Sequence, residues 1–252
     1  MKKIINKIKI EIAHKYWLKY VSTKLEQFRN KHDGEDCFII GNGPSLNKMD
    51  LTLLNDYNTF GLNKIYMIFN RMAFNLTYHV AVNPYVIKQS KKEFINLNCP
   101  SFLAYIPAKN NNIKSNNIHY LGDINTNKFF SKDITQGIRQ GCTVTYVAMQ
   151  LAYFMGFKRV YLIGVDHKFK QSGNPHDVQI LTENDPNHFD PNYFKGQKWQ
   201  LADIESIELS YLIAKYYFNK DGREIIDATI DGKLNIYNKM NFDECLLQAK
   251  KK

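Results

Sequence analysis

Long hydrophobic runs are missing from this sequence of 252 residues. The longest, at residues 160–165, falls far short of the ~20 apolar residues that span a bilayer. Lys7, Lys9 and Glu11 interrupt the apolar segment that a signal peptide would need. The four cysteines are scattered, without the paired spacing of a zinc site or the density of a disulfide scaffold. We therefore expect a protein of the reducing cytosol.

Several catalytic motifs are also missing. No Asp-x-Asp pair is present to hold a nucleotide-bound Mg²⁺ or Mn²⁺, and there is no Gly-x-Ser-x-Gly elbow of a serine hydrolase. The sequence contains neither the three-glycine dinucleotide fingerprint nor a Walker A loop. These absences favour metal-independent chemistry that uses protein cations, so we expect no metal ion and no other cofactor.

The excess positive charge is confined to the two ends of the chain. The net charge is +10, of which residues 1–32 contribute +7 and residues 250–252 contribute +3, so the remainder is neutral. A nucleic-acid enzyme usually carries its basic footprint on the folded body. This distribution favours contact with an anionic surface instead, and we expect no nucleic-acid partner.

Residues 4–28 have the pattern of one amphipathic helix. Apolar residues recur at spacings of mostly three and four, and five lysines together with Trp17 occupy other positions, after Lys2 and Lys3. Such a helix can lie at a membrane interface, with its aromatics at headgroup depth and its lysines on anionic lipid. It can equally dock on the body or on a second subunit. We assign residues 1–34 to this helix and residues 35–252 to the folded body.

After Gly34, short apolar segments alternate with amphipathic ones. Strands are expected at residues 36–40, 59–62, 78–82, 101–105, 119–121, 159–165 and 224–227. Helices are expected at residues 143–155 and 201–218, and residues 109–117 read as a loop. Strands that alternate with helices indicate an α/β fold with a mostly parallel, Rossmann-like sheet flanked by helices.

Three of the predicted strands end in asparagine. Asn42, Asn63 and Asn83 follow the first three strands, and ligands of open α/β sheets bind beyond the carboxyl ends of the strands. An amide side chain both donates and accepts hydrogen bonds, which suits a nucleobase or sugar hydroxyls. Each asparagine alone is a common turn former, but three at successive strand ends predict one binding crevice.

The first strand runs into Gly41-Asn42-Gly43-Pro44-Ser45. Glycine allows close approach of the backbone, and a following helix N-terminus offers free N–H groups to a phosphate. We therefore expect Gly41, Gly43 and Ser45 at a nucleotide site, with the Gly43 and Ser45 amides on the phosphate. A tight turn without a ligand is the alternative.

Two further segments place polar side chains at the same edge of the sheet. Thr143 and Thr145 begin a helix, where their hydroxyls either cap the helix or face the ligand. The strongest strand ends in Asp166, His167 and Lys168, and such groups are costly to hold in a core. Lys168 can neutralise a phosphate. Solvated loop residues are the alternative.

Residues 184–199 combine prolines, aromatics and polar residues in one long loop. Loops of this kind are often active-site lids, and we place a lid at about residues 167–200. His188 lies between Asp185 and Asp190, which can hold it near neutral pH as a base. A surface histidine in a turn is the alternative.

These segments resemble two related groups of proteins. The stretch Ile-Ile-Gly-Asn-Gly-Pro-Ser-Leu at residues 39–46, the strand ends at Asn63 and Asn83, and residues 156–166 resemble small bacterial sialyltransferases that use CMP-activated sialic acid. They also resemble the broad family named after archaeal 6-hydroxymethylpterin diphosphokinase, many of whose bacterial members look like enzymes of surface-glycan assembly. The stretch from residue 187 to residue 229 is most similar to those bacterial members. The resemblance covers roughly residues 36–230.

The resemblance implies roles for individual residues. Asn42, Asn63 and Asn83 match asparagines that contact the CMP moiety in the sialyltransferases. His188 is the candidate match for their histidine base, which acts on the acceptor hydroxyl.

Other positions depart from the sialyltransferase pattern. Lys168, with His167 beside it, stands where those enzymes have a tyrosine that steadies the leaving phosphate, and an ammonium can stabilise the same charge. Thr143 or Thr145 is nearest to their serine at the helix start. Asp166, His167 and Asp190 are the further candidates for the base if His188 is not the base.

The implied activity is that of an inverting, metal-independent glycosyltransferase. It would transfer a sugar, sialic acid or a related acidic sugar, from a CMP-activated donor to a surface glycan or glycolipid. Residues 35–252 would form the nucleotide-sugar-binding catalytic domain, and residues 1–32 would place it peripherally on the inner face of a bacterial cytoplasmic membrane. Alternatively, that helix would hold together a homo-oligomer.

Two other functions stay open at this point. An ATP-dependent pterin diphosphokinase needs Mg²⁺ and a carboxylate cluster, which Asp166, Asp185 and Asp190 could supply. A non-catalytic membrane-associated protein of a glycan locus would keep only the fold. The polar lid with His188 argues against this last interpretation.

Overall fold

A computed structural model describes residues 2–123 and 129–252, with side chains from Ile10 onward. The strands are β1 Asp36–Ile40, β2 Asn58–Leu62, β3 Tyr78–Ala81, β4 Ser101–Ala104, β5 Ile118–Leu121, β6 Arg159–Ile163, β7 Val178–Ile180, β8 Lys198–Gln200, β9 Glu224–Asp227 and β10 Asn238–Lys239. The α-helices are α1 Lys2–Tyr20, α2 Pro84–Gln89, α3 Lys91–Ile95, α4 Tyr105–Asn110, α5 Val144–Phe154, α6 Ile204–Lys220 and α7 Phe242–Gln248.

Eight strands form one parallel sheet in the order β10-β9-β6-β1-β2-β3-β4-β5. The α/β class and the mostly parallel sheet predicted from the sequence are therefore confirmed. All residues of β1 are buried, with Asp36 followed by apolar residues, and the buried residues of α5 pack on the sheet. In the sheet, β2 lies on one side of β1, and β6 lies on the other side. The order therefore reverses between β1 and β6, where open α/β sheets form a ligand crevice.

Several predicted boundaries shift for local reasons. The strand predicted at 159–165 ends at Ile163, because Gly164 adopts a φ of +66° that no strand can continue. The helix predicted from residue 201 begins at Ile204, because Asp203 caps it by accepting a hydrogen bond from the Ser206 N–H. Within the predicted lid, β7 and β8 form an antiparallel hairpin.

The N-terminal segment divides into two parts. Only Lys2–Tyr20 is α-helical, and Ser22–Phe28 continues as a 3₁₀ helix. The Ser22 hydroxyl donates to the Leu18 carbonyl at 3.0 Å, a back-bond that competes with the regular helix ladder. The single helix predicted over residues 4–28 is therefore wrong beyond Tyr20.

Trp17 joins α1 to the body. Its side chain is fully buried, its indole N–H donates to the Tyr120 carbonyl at 2.8 Å, and its ring lies against Gly122. Further along, Leu25 and Phe28 are also buried in the core. Trp17 therefore packs on the body, as the docking alternative for this helix expects, and not at headgroup depth.

Among the described residues, none of the helices combines the length and the apolar character that a bilayer crossing requires.

Candidate functional site

A crevice of about 470 Å³ opens at the carboxyl ends of β1, β2, β3 and β6. The structure brings eleven of the twelve predicted site residues to its wall: Gly41, Asn42, Gly43, Asn63, Asn83, Thr143, Thr145, Asp166, His167, Lys168 and His188. The twelfth, Ser45, is buried behind it. The position agrees with the reversal of strand order, and the roles of these residues remain predictions.

Two asparagine oxygens in the crevice have no hydrogen-bond partner among the described residues. Asn42 donates through Nδ2 to the Leu62 carbonyl at 3.0 Å, which turns its buried Oδ1 away from that bond. Asn63 also buries an unpartnered Oδ1, and its backbone adopts a φ of +49°, which asparagine tolerates better than most residues. Buried polar atoms without partners are rare. The wall of the crevice thus holds two residues whose acceptor oxygens are not used within the described fold.

The third asparagine is used differently. Asn83 caps α2, because its Oδ1 accepts hydrogen bonds from the N–H groups of Tyr85 at 2.9 Å and Val86 at 3.3 Å. Its Nδ2 makes a long contact of 3.4 Å with Gln200 on β8. Its oxygen is thus engaged within the fold, and only its amide N–H groups remain for a ligand.

The loop after β1 does not offer its amides to a phosphate. The Gly43 N–H donates to the Gly164 carbonyl at 2.8 Å, and the Ser45 N–H donates to Asp166 Oδ1 at 3.0 Å. The Ser45 hydroxyl donates to the other Asp166 oxygen at 2.6 Å. The expectation that the Gly43 and Ser45 amides bind phosphate is therefore wrong in this structure. The Asp166 carboxylate thus accepts the hydrogen bonds from Ser45 that were expected to bind a phosphate.

The two glycines of this loop are explained by close chain approach. A Cβ on Gly41 would lie 2.3 Å from the Gly164 carbonyl oxygen, and one on Gly43 would lie 1.8 Å from Asp166 Oδ2. The glycines therefore let the loops after β1 and β6 touch each other.

His188 is oriented by a buried carboxylate. Its Nδ1 lies 2.9 Å from Asp185 Oδ2, and its ring stacks on Tyr193 at 3.9 Å between centroids with an angle of 4°. The other Asp185 oxygen accepts from the Asn187 N–H at 2.9 Å. With Nδ1 directed at the carboxylate, Nε2 is the ring atom that can take a proton from a substrate.

The lid is fixed to the strand ends beside this histidine. The Phe189 N–H donates to the Asn42 carbonyl at 2.9 Å, which places His188 next to the first strand-end asparagine. The Asn47 amide also donates to the Phe189 carbonyl at 2.9 Å. The base candidate and the unpartnered Asn42 oxygen thus belong to one wall of the crevice.

Asp190 does not flank His188 as the sequence suggested. Its carboxylate pairs with Arg71 at 3.0 Å and accepts from the Asn192 N–H at 2.8 Å. Asp166 pairs with Ser45 and Asp185 with His188, so the three acids that a Mg²⁺ site would need each have a different partner. Among the described residues, only Cys142, His176 and Asp203 bring metal-ligating atoms together, at the mouth of the crevice.

His167 and Lys168 point to different surroundings. His167 is nearly buried and lies 2.8 Å from Glu208 of α6 through Nε2, whereas Lys168 is exposed at the crevice mouth. Lys168 is therefore the better placed of the two to meet a phosphate.

The two threonines lie at the start of α5. Thr143 caps the helix by accepting from the Thr145 N–H at 3.3 Å, as one of the two sequence alternatives proposed. Both hydroxyls also form hydrogen bonds with Tyr211. Burial raises the pKa of Tyr211, although these two hydrogen bonds act to lower it. The capping role thus does not exclude contact with the crevice.

Lys64 is a supporting residue behind the crevice that sequence analysis missed. It is 2% exposed, and its ammonium donates to the Tyr193 carbonyl at 2.8 Å and to Gln197 Oε1 at 2.6 Å, over the ring of Phe194. Burial lowers the pKa of Lys64 to about 8. It links the end of β2 to the residue on which His188 stacks. The sequence signal that could have identified Lys64 is its position directly after the strand-end residue Asn63.

The strand order and the crevice at its reversal define an open, doubly wound α/β protein. The chain belongs to the 6-hydroxymethylpterin diphosphokinase MptE-like family, whose sequence profile matches residues 13–172. The family resemblance seen in the sequence is thereby confirmed. A solved structure of the sialyltransferase CstII from Campylobacter jejuni, in complex with the substrate analogue cytidine-5'-monophosphate, is similar with a TM-score of 0.49 and 14% identity. That similarity covers 82% of this chain and 85% of CstII. None of the curated proteins matches this chain in sequence.

Proposed function

We propose that this protein is a glycosyltransferase that moves a sugar from a CMP-activated donor to a hydroxyl of a surface glycan or glycolipid. The observation that carries the proposal is the pair of His188 and Asp185 beside the unpartnered oxygens of Asn42 and Asn63. A base with an orienting carboxylate next to a polar binding wall suits the activation of a hydroxyl.

The nucleotide would bind along the strand ends. The Oδ1 atoms of Asn42 and Asn63 accept hydrogen bonds, so they suit the exocyclic amine of a cytosine or the hydroxyls of a ribose. The choice of cytidine among nucleosides rests on the sequence resemblance. The donor sugar would be sialic acid or a related acidic sugar on the same ground.

The transfer would be a single displacement. His188 Nε2 takes the proton of the acceptor hydroxyl while its oxygen attacks the anomeric carbon, and the bond from that carbon to the phosphate oxygen breaks. The nucleoside monophosphate leaves with the bonding electrons, and the anomeric centre inverts. Asp185 stabilises the imidazolium, and Lys168 offsets the charge on the leaving phosphate. Only protein groups act in this step, so we propose a reaction without a metal cofactor.

A pterin diphosphokinase is the second candidate, because the family carries that name. Transfer of a diphosphate from ATP relies on Mg²⁺ held between carboxylates and phosphates. The separate partners of Asp166, Asp185 and Asp190 disfavour that chemistry here.

Thermal-shift measurements with CMP, CDP, UDP, GDP and ATP with Mg²⁺ test the proposal, since a ligand of the folded state raises Tm. We expect stabilisation by CMP that is lost in Asn63→Gly, which keeps the left-handed backbone and deletes the amide. Asn96→Ala, an exposed asparagine outside the crevice, is the matched control and should keep the response. Stabilisation by ATP with Mg²⁺ but not by cytidine nucleotides would instead support the diphosphokinase.

We propose in addition that α1 attaches the protein to an anionic membrane, where a glycolipid acceptor would lie. Ile10, Ile12, Tyr16 and Tyr20 are all more than half exposed, on a helix rich in lysine. Exposed apolar groups among basic ones are typical of interfacial helices. A second subunit on the same face is the alternative.

A further inference from the structure

Three metal-ligating side chains from distant parts of the chain meet at the mouth of the crevice. Cys142 precedes the N-cap of α5, His176 lies in the lid before β7, and Asp203 caps α6. One ligand atom of each, the thiol sulfur, a ring nitrogen and a carboxylate oxygen, lies within 4.8 Å of the other two. The first two side chains are exposed and the third is partly exposed, so a cation can reach them.

The arrangement differs from a nucleophilic relay of cysteine, histidine and aspartate. In such a relay the imidazole lies between its two partners and contacts them through opposite ring nitrogens, which separates the thiol from the carboxylate by the width of the ring. Here the sulfur and the carboxylate oxygen are themselves within 4.8 Å of each other. The three atoms therefore surround one point, as ligands of a metal ion do.

The carboxylate is already oriented for this use. Asp203 Oδ1 accepts from the Ser206 N–H at 3.1 Å, and Oδ2 accepts from the Ser206 hydroxyl at 2.8 Å. The same Oδ2 lies 3.0 Å from the ring Nε2 of His176. The backbone N–H of His176 donates to the Leu201 carbonyl at 3.1 Å. Metal ligands in proteins are commonly fixed in this way by outer hydrogen bonds.

We propose that Cys142, His176 and Asp203 bind one zinc-like transition-metal cation that links the lid to the N-termini of α5 and α6. Thiolate, imidazole and carboxylate are the ligands of Zn²⁺, and their separations in a tetrahedral site are about 3–4 Å, which a contraction of about 1 Å provides. Three protein ligands leave a fourth position, and all three residues line the crevice. This position would thus be open to water or to a donor atom of a bound substrate.

The proposed site lines the same crevice as His188 and Lys168, but its three ligands take no part in the proposed sugar transfer. It also departs from the expectation of no bound metal. The ligands are 34 and 27 residues apart in the sequence and form no spacing motif, so only the fold brings them together. The cation would restrain His176, and with it the loop that leads into the β7–β8 hairpin.

Titration of the chelator-treated full chain with Co²⁺ tests the site. We expect one equivalent to bind, with a thiolate-to-cobalt charge-transfer band in the near ultraviolet, and Zn²⁺ to displace it. Cys142→Ser should abolish the band, and His176→Ala should weaken binding at least tenfold. Ser206→Ala, which removes an outer hydrogen bond, should weaken it by about 10- to 100-fold.

His14→Ala is the matched control, because it removes an imidazole on α1 outside the cluster, and it should bind like the parent chain. Circular dichroism of each variant establishes that it is folded. Absence of the charge-transfer band in the parent chain would overturn the proposal. So would Co²⁺ binding that is unchanged in both Cys142→Ser and His176→Ala, because the ion would then lie elsewhere.

Discussion

His188 combines three features that a general base needs. It has a carboxylate at 2.9 Å on one ring nitrogen, an aromatic ring stacked on its face, and a place on the crevice wall. The stack on Tyr193 and the bond to Asp185 together restrict the imidazole to one orientation, so it would not have to be ordered during the proposed reaction. Lys64 supports the same arrangement from behind, because it holds the Tyr193 carbonyl.

If His188 is the base as proposed, its replacement should affect the chemistry more than the binding of nucleotide. We expect His188→Ala to lower kcat by about 10²–10⁴-fold, the usual contribution of a positioned base. The affinity for the nucleotide should stay nearly unchanged, because the proposal places His188 at the acceptor and not at the nucleotide. Steady-state kinetics and nucleotide titration measure the two effects.

Lys168→Ala is the informative comparison, since it should both slow the reaction and weaken binding of the nucleotide phosphate. A near-normal kcat of His188→Ala with an accepted substrate pair would show that His188 is only a loop residue. The base would then have to be sought at Asp166 or His167, since Asp190 pairs with Arg71.

At the scale of elements, the loops after β1 and β6 form one interlocked unit. Gly43 and Ser45 of the first loop contact Gly164 and Asp166 of the second through three hydrogen bonds. The unit forms the floor of the crevice. Its stability depends on glycine at position 43, because a side chain there would keep the Asp166 carboxylate from approaching.

Gly43→Ala should destabilise the protein by about 1–3 kcal/mol, the usual cost of inserting an atom into a packed region. The new Cβ would lie 1.8 Å from Asp166 Oδ2, so the carboxylate must move away from Ser45. Denaturant unfolding measures the change. In the background of Asp166→Ala the same substitution should cost much less, since the clashing atoms are gone. Equal costs in both backgrounds would show that the contact is not the cause.

A buried histidine links three strands behind the same crevice. His79 on β3 lies 2.8 Å from the Asn63 carbonyl through Nε2 and 2.7 Å from the Ser101 hydroxyl of β4 through Nδ1. A carbonyl only accepts, so Nε2 carries the proton and neutral Nδ1 accepts from Ser101. Burial lowers the pKa of His79 to about 4, which keeps the ring neutral.

This histidine should make stability depend on pH. Between pH 6.5 and about 4 the unfolded chain binds a proton at His79 and the folded chain does not, so stability falls as the pH falls through that window. The contribution is at most about 1.4 kcal/mol per pH unit. Denaturant unfolding at several pH values should show a steeper acid loss for the parent chain than for His79→Gln. Equal slopes would mean that His79 is not the group responsible.

At the scale of the whole molecule, the N-terminal segment and the sheet share one core. Trp17, Leu25 and Phe28 are buried in it, and Phe28 packs edge-on against Tyr78 and Phe102 of the sheet. The basic C-terminus also lies on the body, because Lys250 donates to the Gly34 carbonyl at 2.9 Å and Lys251 pairs with Asp56. Of the two charged ends, α1 is the one that combines lysines with exposed large apolar side chains.

Removal of residues 2–12 should leave the body folded, because Trp17 and everything after it remain. We expect co-sedimentation of the full chain with anionic vesicles, decreasing with salt, and its loss in this truncation. Neutral vesicles are the control for charge. Ile12→Ser should weaken co-sedimentation, and Leu247→Ser, which changes an exposed apolar residue elsewhere, is its matched control.

Removal of residues 1–32 should instead destabilise the fold, since it deletes core side chains; a body with unchanged Tm would contradict this structure. If the full chain never binds vesicles and the short truncation changes the mass in light scattering, α1 serves a second subunit.

The sequence by itself determined the α/β class, the parallel sheet and the edge of the sheet that carries the crevice. These features follow from local patterns: apolar strand segments, glycine and asparagine at strand ends, and capping residues such as Thr143. Eleven of twelve candidate residues lie at the crevice because the carboxyl ends of parallel strands share one edge.

Only the tertiary structure decided which partner each polar group has. A sequence does not show that Asp166 takes the Ser45 amide, that Asp190 turns to Arg71, or that Lys64 is buried under the lid. The same holds for Trp17, whose lysine-rich surroundings suggested a lipid contact although it packs on Gly122. The physical reason is that hydrogen bonds and packing act over a few ångströms between residues that are far apart in the sequence, such as Lys64 and Gln197, which are 133 positions apart.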